Sequence, residues 1–294
     1  MQLGRVGLWT FQLDLQPASA AREAATELDE LGYSTLWLPE AVGREPFVNS
    51  ALVLSSTERM VVATGIASVW ARDAMTMAAG HLTLSEAFPG RFLLGVGVSH
   101  QPMVDHVRGH HYEKPLGKMR SYLDEMDRAI YVAPRPPDEP RRVLAALGPK
   151  MLQLAAERAL GAHPYFVPVE HTAVAREVLG DGPMLCPEQA VVLSTDPDEA
   201  RAAARQHMGT YLTLPNYTNN LRRLGWTDDD LGDGGSDRLV DAIVAWGDEA
   251  AIVERIQAHL AAGADHVCLQ VLSSDATVLP MAEWRTLAPA VLSL

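Results

Sequence analysis

The chain has 294 residues, 48% of them hydrophobic, which suffices for two small domains or one large α/β barrel. A formal net charge of −13 argues against nucleic acid or an anionic membrane surface as partner, because both attract basic patches. No apolar run approaches the roughly 20 residues of a spanning helix, and MQLGRVGLWTF lacks the charged start and cleavage site of a signal peptide, so the expected compartment is the cytoplasm.

In chain order, short β-rich runs alternate with amphipathic helical ones. The predicted strands cover residues 4–11, 34–40, 60–69, 91–99, 141–148, 162–168, 189–195 and 265–272. In the first helix, PASAAREAATELDELG, the residues Ala21, Ala24, Ala25, Leu28 and Leu31 share a stripe, with Glu23, Glu27 and Glu30 off it. Helices are predicted to stop at or near Gly32, Gly161 and Gly263, since glycine accepts the left-handed terminal conformation. Continuous apolar strands between helices indicate a parallel sheet covered on its outer face. Eight such units make a (β/α)8 TIM barrel the leading fold, as one domain over residues 1–294. Long segments interrupt it at 100–118 after strand four, at the proline-rich 133–142, and at 209–237 between strands seven and eight. Such segments serve as lids, binding elements or dimer contacts. Cys186 and Cys268 read as reduced core residues rather than a disulfide.

In a barrel the chemistry sits at the C-terminal strand ends. Strand one delivers Trp9, Thr10 and Phe11 there, strand two Pro39 and Glu40, strand three Ser68, Val69 and Trp70, strand four Ser99 and His100. This rim is aromatic and carries few charges. No metal is expected, because His106, His110 and His111 come without a carboxylate set or H-E-x-x-H spacing. The run FLLGVGVSH fails as a dinucleotide fingerprint, since His100 stands where the third glycine belongs. Gly95 and Gly97 either bare one strand face for a flat ring or relieve crowding inside the barrel. In LGPKMLQLAAERALGAH, Gly148 ends a strand and Pro149 opens a helix. The N–H groups of Lys150 and Met151, with the lysine ammonium, would then cradle a phosphate; an ordinary strand-to-helix turn is the other reading.

The stretches GYSTLWLPE, ATGIASVWARDAMTMAAGHLTLSEAFPGRFLLGVGVSH, LGPKMLQLAAERALGAHPYFVPVEHTA, LPNYTNNLRRLGW and WGDEAAIVERIQAHLAAGADHVCLQVL resemble the luciferase-like flavin and deazaflavin oxidoreductases. The likeness spans nearly the whole chain and is greatest to an actinobacterial branch dependent on coenzyme F420. It implies a non-prolyl cis peptide within Ile66, Ala67, Ser68 and Val69, forming a bulge behind the cofactor ring. It also implies ring and phosphate contacts from Gly97, Val98, Ser99, Gly148, Pro149, Lys150 and Met151, with Ala162 and His163 close to the phosphate. This chain departs from the deazaflavin sugar-phosphate dehydrogenases, which place an acidic residue and histidine after strand two and glutamate after strand four; here Glu40 precedes Ala41, and His100 ends strand four. The implied reaction is hydride transfer between F420 and a small organic substrate, with His100 supplying the proton. Glu40 is the second catalytic candidate, or simply an acceptor of backbone N–H bonds, and Trp9, Phe11 and Trp70 would enclose the substrate. Arg72, Arg222 and Arg223 are the cations with a route inward. Two alternatives stay open: an FMN-dependent monooxygenase on the same barrel, and a cofactor-free barrel acting as a binding or assembly protein. A homodimer is expected from the family habit, with Met75, Ala78 and Leu82 as either a seam or core.

Overall fold

The computed structural model describes residues 1–294 apart from 274 and 276. Its strands are β1 (Val6–Trp9), β2 (Thr35–Leu38), β3 (Val61–Thr64), β4 (Ala67–Ser68), β5 (Phe92–Gly97), β6 (Arg142–Leu144), β7 (Gly161–Ala162), β8 (Met184–Leu185), β9 (Glu188–Val192), β10 (Val244–Trp246) and β11 (Val267–Val271). They pair in parallel in the order β10–β9–β11–β1–β2–β3–β5–β6–β7–β8, with β4 also on β5. β8 and β9 are two stretches of one extended segment. Its first part bonds to β7, the N–H groups of Cys186 and Glu188 continue onto the carbonyls of Ala162 and Pro164 at 2.9 Å, and its second part pairs with β11. The sheet thereby curls round on itself as a TIM barrel, and β10 lies on the side of β9 away from β11.

Alternation along the strands separates two apolar layers. Trp37, Val61, Ala63, Leu93, Val143, Cys186 and Cys268 pack together in the barrel interior, while Leu36, Leu38, Val62, Phe92, Leu94 and Val96 pack with the surrounding helices. Both faces being covered explains why these strands read as unbroken apolar runs. Helices at Pro46–Leu54, Pro115–Asp127, Pro149–Arg158, Pro197–Tyr211 and Pro215–Arg223 all open on proline, at a position where no intrahelical bond is lost. The helix Ala18–Leu31 buries Ala21, Ala24, Ala25 and Leu28 and stops at Gly32 with φ 98°.

Several expectations change. The strands are shorter than predicted, and β8 and β10 were not anticipated. Gly161 ends no helix: it lies in β7, where a Cβ would stand 1.8 Å from the Met184 carbonyl oxygen, so only glycine permits that approach. The 209–237 excursion is largely helical, containing Pro215–Arg223 and Asp228–Leu231. Ala78 is buried core and only Met75 of the expected seam is well exposed. Cys186 and Cys268 are free and buried. Among the described residues no helix is long and apolar enough to cross a membrane.

Candidate functional site

A cavity of about 560 Å³ opens over the C-terminal ends of the strands. Its buried part is formed by Trp9, Gly65 and His163, and Ile66, Val98, Ser99 and His100 line it together with Tyr165, Tyr211 and Tyr217. Gly148, Met151 and Arg223 line it at the helix start beyond β6. A non-prolyl cis peptide is present at Gly65–Ile66, one bond ahead of the stretch Ile66–Val69 expected to hold it.

Of the predicted site residues, Trp9, Phe11, Glu40, Val98, Ser99, His100, Gly148, Met151 and His163 line this cavity, and Trp70, Ala67, Ser68, Val69, Gly97, Pro149, Lys150 and Ala162 do not. Four of these exceptions have a visible local cause. Trp70 turns aside, donating Nε1–H to the Val98 carbonyl at 2.9 Å with Lys118 over its ring. Gly97 is bare because Ile66 fills the space: a Cβ there would stand 2.4 Å from Ile66 Cδ1, so this glycine relieves crowding rather than exposing backbone to a ring. Lys150 and Pro149 are exposed on the outer turn of their helix. Met151 N–H is already donated to the Gly148 carbonyl at 3.0 Å, which removes it from the expected cradle. Arg223 lies beside this helix start, its Nη2 3.6 Å from where a Gly148 Cβ would be.

Glu40 is held on all sides. Its carboxylate accepts Ser68 N–H at 2.7 Å, both Arg72 guanidinium nitrogens at 2.7 and 2.9 Å, and Arg108 at 3.4 Å. These bonds engage both carboxylate oxygens and tie β4 to the mouth.

His100 shares a hydrogen bond with the Tyr217 hydroxyl, Nε2 to O 3.1 Å. Burial pulls its imidazole down to about 4, and the same cause pushes the Tyr217 phenol well above its ordinary value. The pair is therefore neutral at neutral pH. Ser99, with φ 57°, turns the chain so that His100 follows into the mouth. Behind it Tyr165 donates to Gln270 Oε1 at 2.7 Å and meets the Tyr211 hydroxyl at 2.9 Å. Tyr165, Tyr211, Tyr217 and Asn219 were not singled out as site residues from sequence. The signal lay in LPNYTNNLRR, where proline starts a helix that presents Tyr217 and Arg223 inward from the excursion.

A parallel barrel with an aromatic cavity over its C-terminal strand ends defines an α/β barrel enzyme. The pattern of the luciferase-like monooxygenase family matches residues 1–266, and the chain belongs to that family. It is 26% identical over 276 residues, 77% of this chain and 78% of the other, to a Mycobacterium tuberculosis protein provisionally named a coenzyme F420-dependent oxidoreductase. Two solved structures share its fold. One is an F420-dependent secondary alcohol dehydrogenase in complex with an F420-acetone adduct, with TM-score 0.78, 16% identity and 99% of each chain covered. The other is the FMN complex of the oxygenating constituent of 3,6-diketocamphane monooxygenase from Pseudomonas putida, with TM-score 0.70, 17% identity, and 98% of this chain and 96% of that one covered.

Proposed function

We propose that the protein is an oxidoreductase moving a hydride between coenzyme F420 and a small organic substrate. The observation that carries this reading is the two-ended cavity: the start of helix Pro149–Arg158 faces the Arg223 guanidinium at one end, and Trp9, Gly65 and His163 form a buried aromatic pit at the other. An anionic tail suits the first end, where helix dipole and guanidinium act together. A flat ring suits the second. The name of the Mycobacterium tuberculosis relative and the F420 complex that shares the fold support the choice of deazaflavin.

On this reading Gly148 and Arg223 hold the phosphate at the helix start, while Ile66, Val98 and Ser99 bound the ring. Ala67, Ser68, Val69 and Gly97 support Ile66 from behind, and Met151 packs the cavity wall. The deazaflavin supplies a hydride-carrying carbon when bound. Trp9 and Phe11 exclude water from the substrate, and the neutral His100–Tyr217 pair presents one donor and one acceptor to it. A second copy of this chain is the expected partner, and light scattering at micromolar concentration should return a dimer mass.

Titrating the purified protein with F420 and with FMN, and following fluorescence quenching, tests the cofactor. Tight deazaflavin binding is expected. FMN binding without deazaflavin binding would transfer the protein to the monooxygenase reading that the FMN-bound neighbour represents.

A further inference from the structure

His163 is 1% exposed, yet its ring lines the cavity. Its Nδ1 lies 2.7 Å from the Cys186 carbonyl oxygen. A carbonyl only accepts, so Nδ1 carries the proton and Nε2 of the neutral ring is a bare lone pair. That Nε2 has no hydrogen-bond partner among the described residues. The ring cannot swing to find one, being stacked on Trp37 with centroids 4.4 Å apart and an interplanar angle of 16°.

Gly65 leaves this buried lone pair without a side chain over it. A Cβ at Gly65 would stand 3.4 Å from His163 Nε2 and 2.7 Å from Trp9 Nε1, so any side chain there would cap the histidine. The other polar groups of the pit are already committed: Trp9 Nε1–H goes to the Gly65 carbonyl at 2.9 Å, and Tyr165 to Gln270 and Tyr211. An unpaired buried acceptor is costly, and a ligand supplying a donor recovers that cost. The groups the ring touches, Trp37, Cys186 and Cys268, are neutral, which suits a neutral donor better than a cationic one.

We propose that His163 Nε2 is the hydrogen-bond acceptor at the bottom of the cavity for a neutral N–H or O–H at the buried end of the bound molecule, and that it selects among ligands by that group. The assignment rests on the deazaflavin reading only for the choice of the first probe.

Two pairs of probes separate the sources of the donor. The first pair is a deazaflavin and its analogue methylated at the ring N–H; the second is cyclohexanol and cyclohexyl methyl ether, each measured with and without deazaflavin. The wild-type protein should prefer the donor-bearing member of at least one pair by about tenfold. His163→Phe, which keeps a ring on Trp37, should bind both members alike. NMR of nitrogen-labelled histidine gives a readout independent of activity: the His163 Nε2 resonance should move with the donor-bearing probe and stay put with its methylated partner. A preference in the first pair assigns the donor to the ring, and one in the second to a substrate hydroxyl. If His163→Phe does not fold, wild-type discrimination and the resonance decide. Equal affinities in both pairs with an unmoved resonance overturn the assignment. Failure of deazaflavin to bind defeats the cofactor reading, and the alcohol pair without cofactor then decides for His163.

Discussion

His100 is neutral above about pH 5, since burial holds it near 4, so as an imidazolium it is a poor proton source at neutral pH. What it offers instead is one hydrogen bond, in partnership with Tyr217. Magnitudes separate the two roles. Loss of a general acid slows turnover by about 10² to 10⁴, whereas loss of one neutral hydrogen bond is worth about 1 kcal/mol, or roughly fivefold. We expect His100→Phe to cost less than about tenfold in kcat/KM, with no inflection near pH 6.5 in the wild-type profile; a loss above 10² would restore the acid. Glu40→Gln probes the other candidate. It leaves Arg72, whose side chain is 9% exposed, with one carboxylate partner fewer, and breaking such a pair costs about 3 kcal/mol. Chemical denaturation should register that loss. An unchanged unfolding midpoint together with lost turnover would return Glu40 to the chemistry.

The helix Pro149–Arg158 and the helix Pro215–Arg223 meet across the rim, and the proposed phosphate seat belongs to both. Arg223→Ala should weaken deazaflavin binding by about 1 to 3 kcal/mol through a lost charge-assisted bond. Lys150→Glu, on an exposed side chain outside the cavity, should cost under about 1 kcal/mol and less as salt is added. Fluorescence titrations at two ionic strengths check both, and the reverse order would place Lys150 at the seat. Gly97→Val is expected to destabilise by about 1 to 3 kcal/mol, because its branch would meet Ile66 in a packed interior. A normal unfolding midpoint for Gly97→Val would show that Ile66 yields. The element pattern was legible because strands covered on both faces, helices opening on proline and stops such as Gly32 all leave one-dimensional traces. β8 and β10 left little trace: two and three residues are too few to show a period. The cavity was legible where residues end strands, as for Trp9 and His100, and obscure where a contact joins distant segments, as Gly97 with Ile66 or His100 with Tyr217. Those pairings depend on side-chain volume in three dimensions.

At the scale of the whole molecule, burial pulls His81, His100, His163, His207 and His266 to about 4 and His259 to about 3. These folded values lie below the ordinary 6.5, so between about pH 4 and 6.5 the unfolded chain binds more protons than the folded one. Stability contributed by the neutral rings is present above pH 6.5 and falls as pH drops through that window. Calorimetry from pH 7 to pH 5 should show the melting temperature falling by at least about 5 °C, each kcal/mol being worth roughly 2 °C in a chain of this size. A flat profile would mean the rings are hydrated in solution. β10 bears on the molecule's modularity. Val244–Trp246 follows the 209–237 excursion that supplies Tyr217 and Arg223, one helix further on, and it hydrogen-bonds along Ala190–Val192 of the barrel wall. The excursion is thus stitched to the scaffold by main-chain bonds as well as tethered at its ends. Transplanting it between relatives to change specificity therefore requires carrying β10 with it, with the downstream junction at Gly247, where φ is 135°. A graft cut before Val244 would strip the wall of a hydrogen-bonded neighbour and leave an open strand edge for another chain to join.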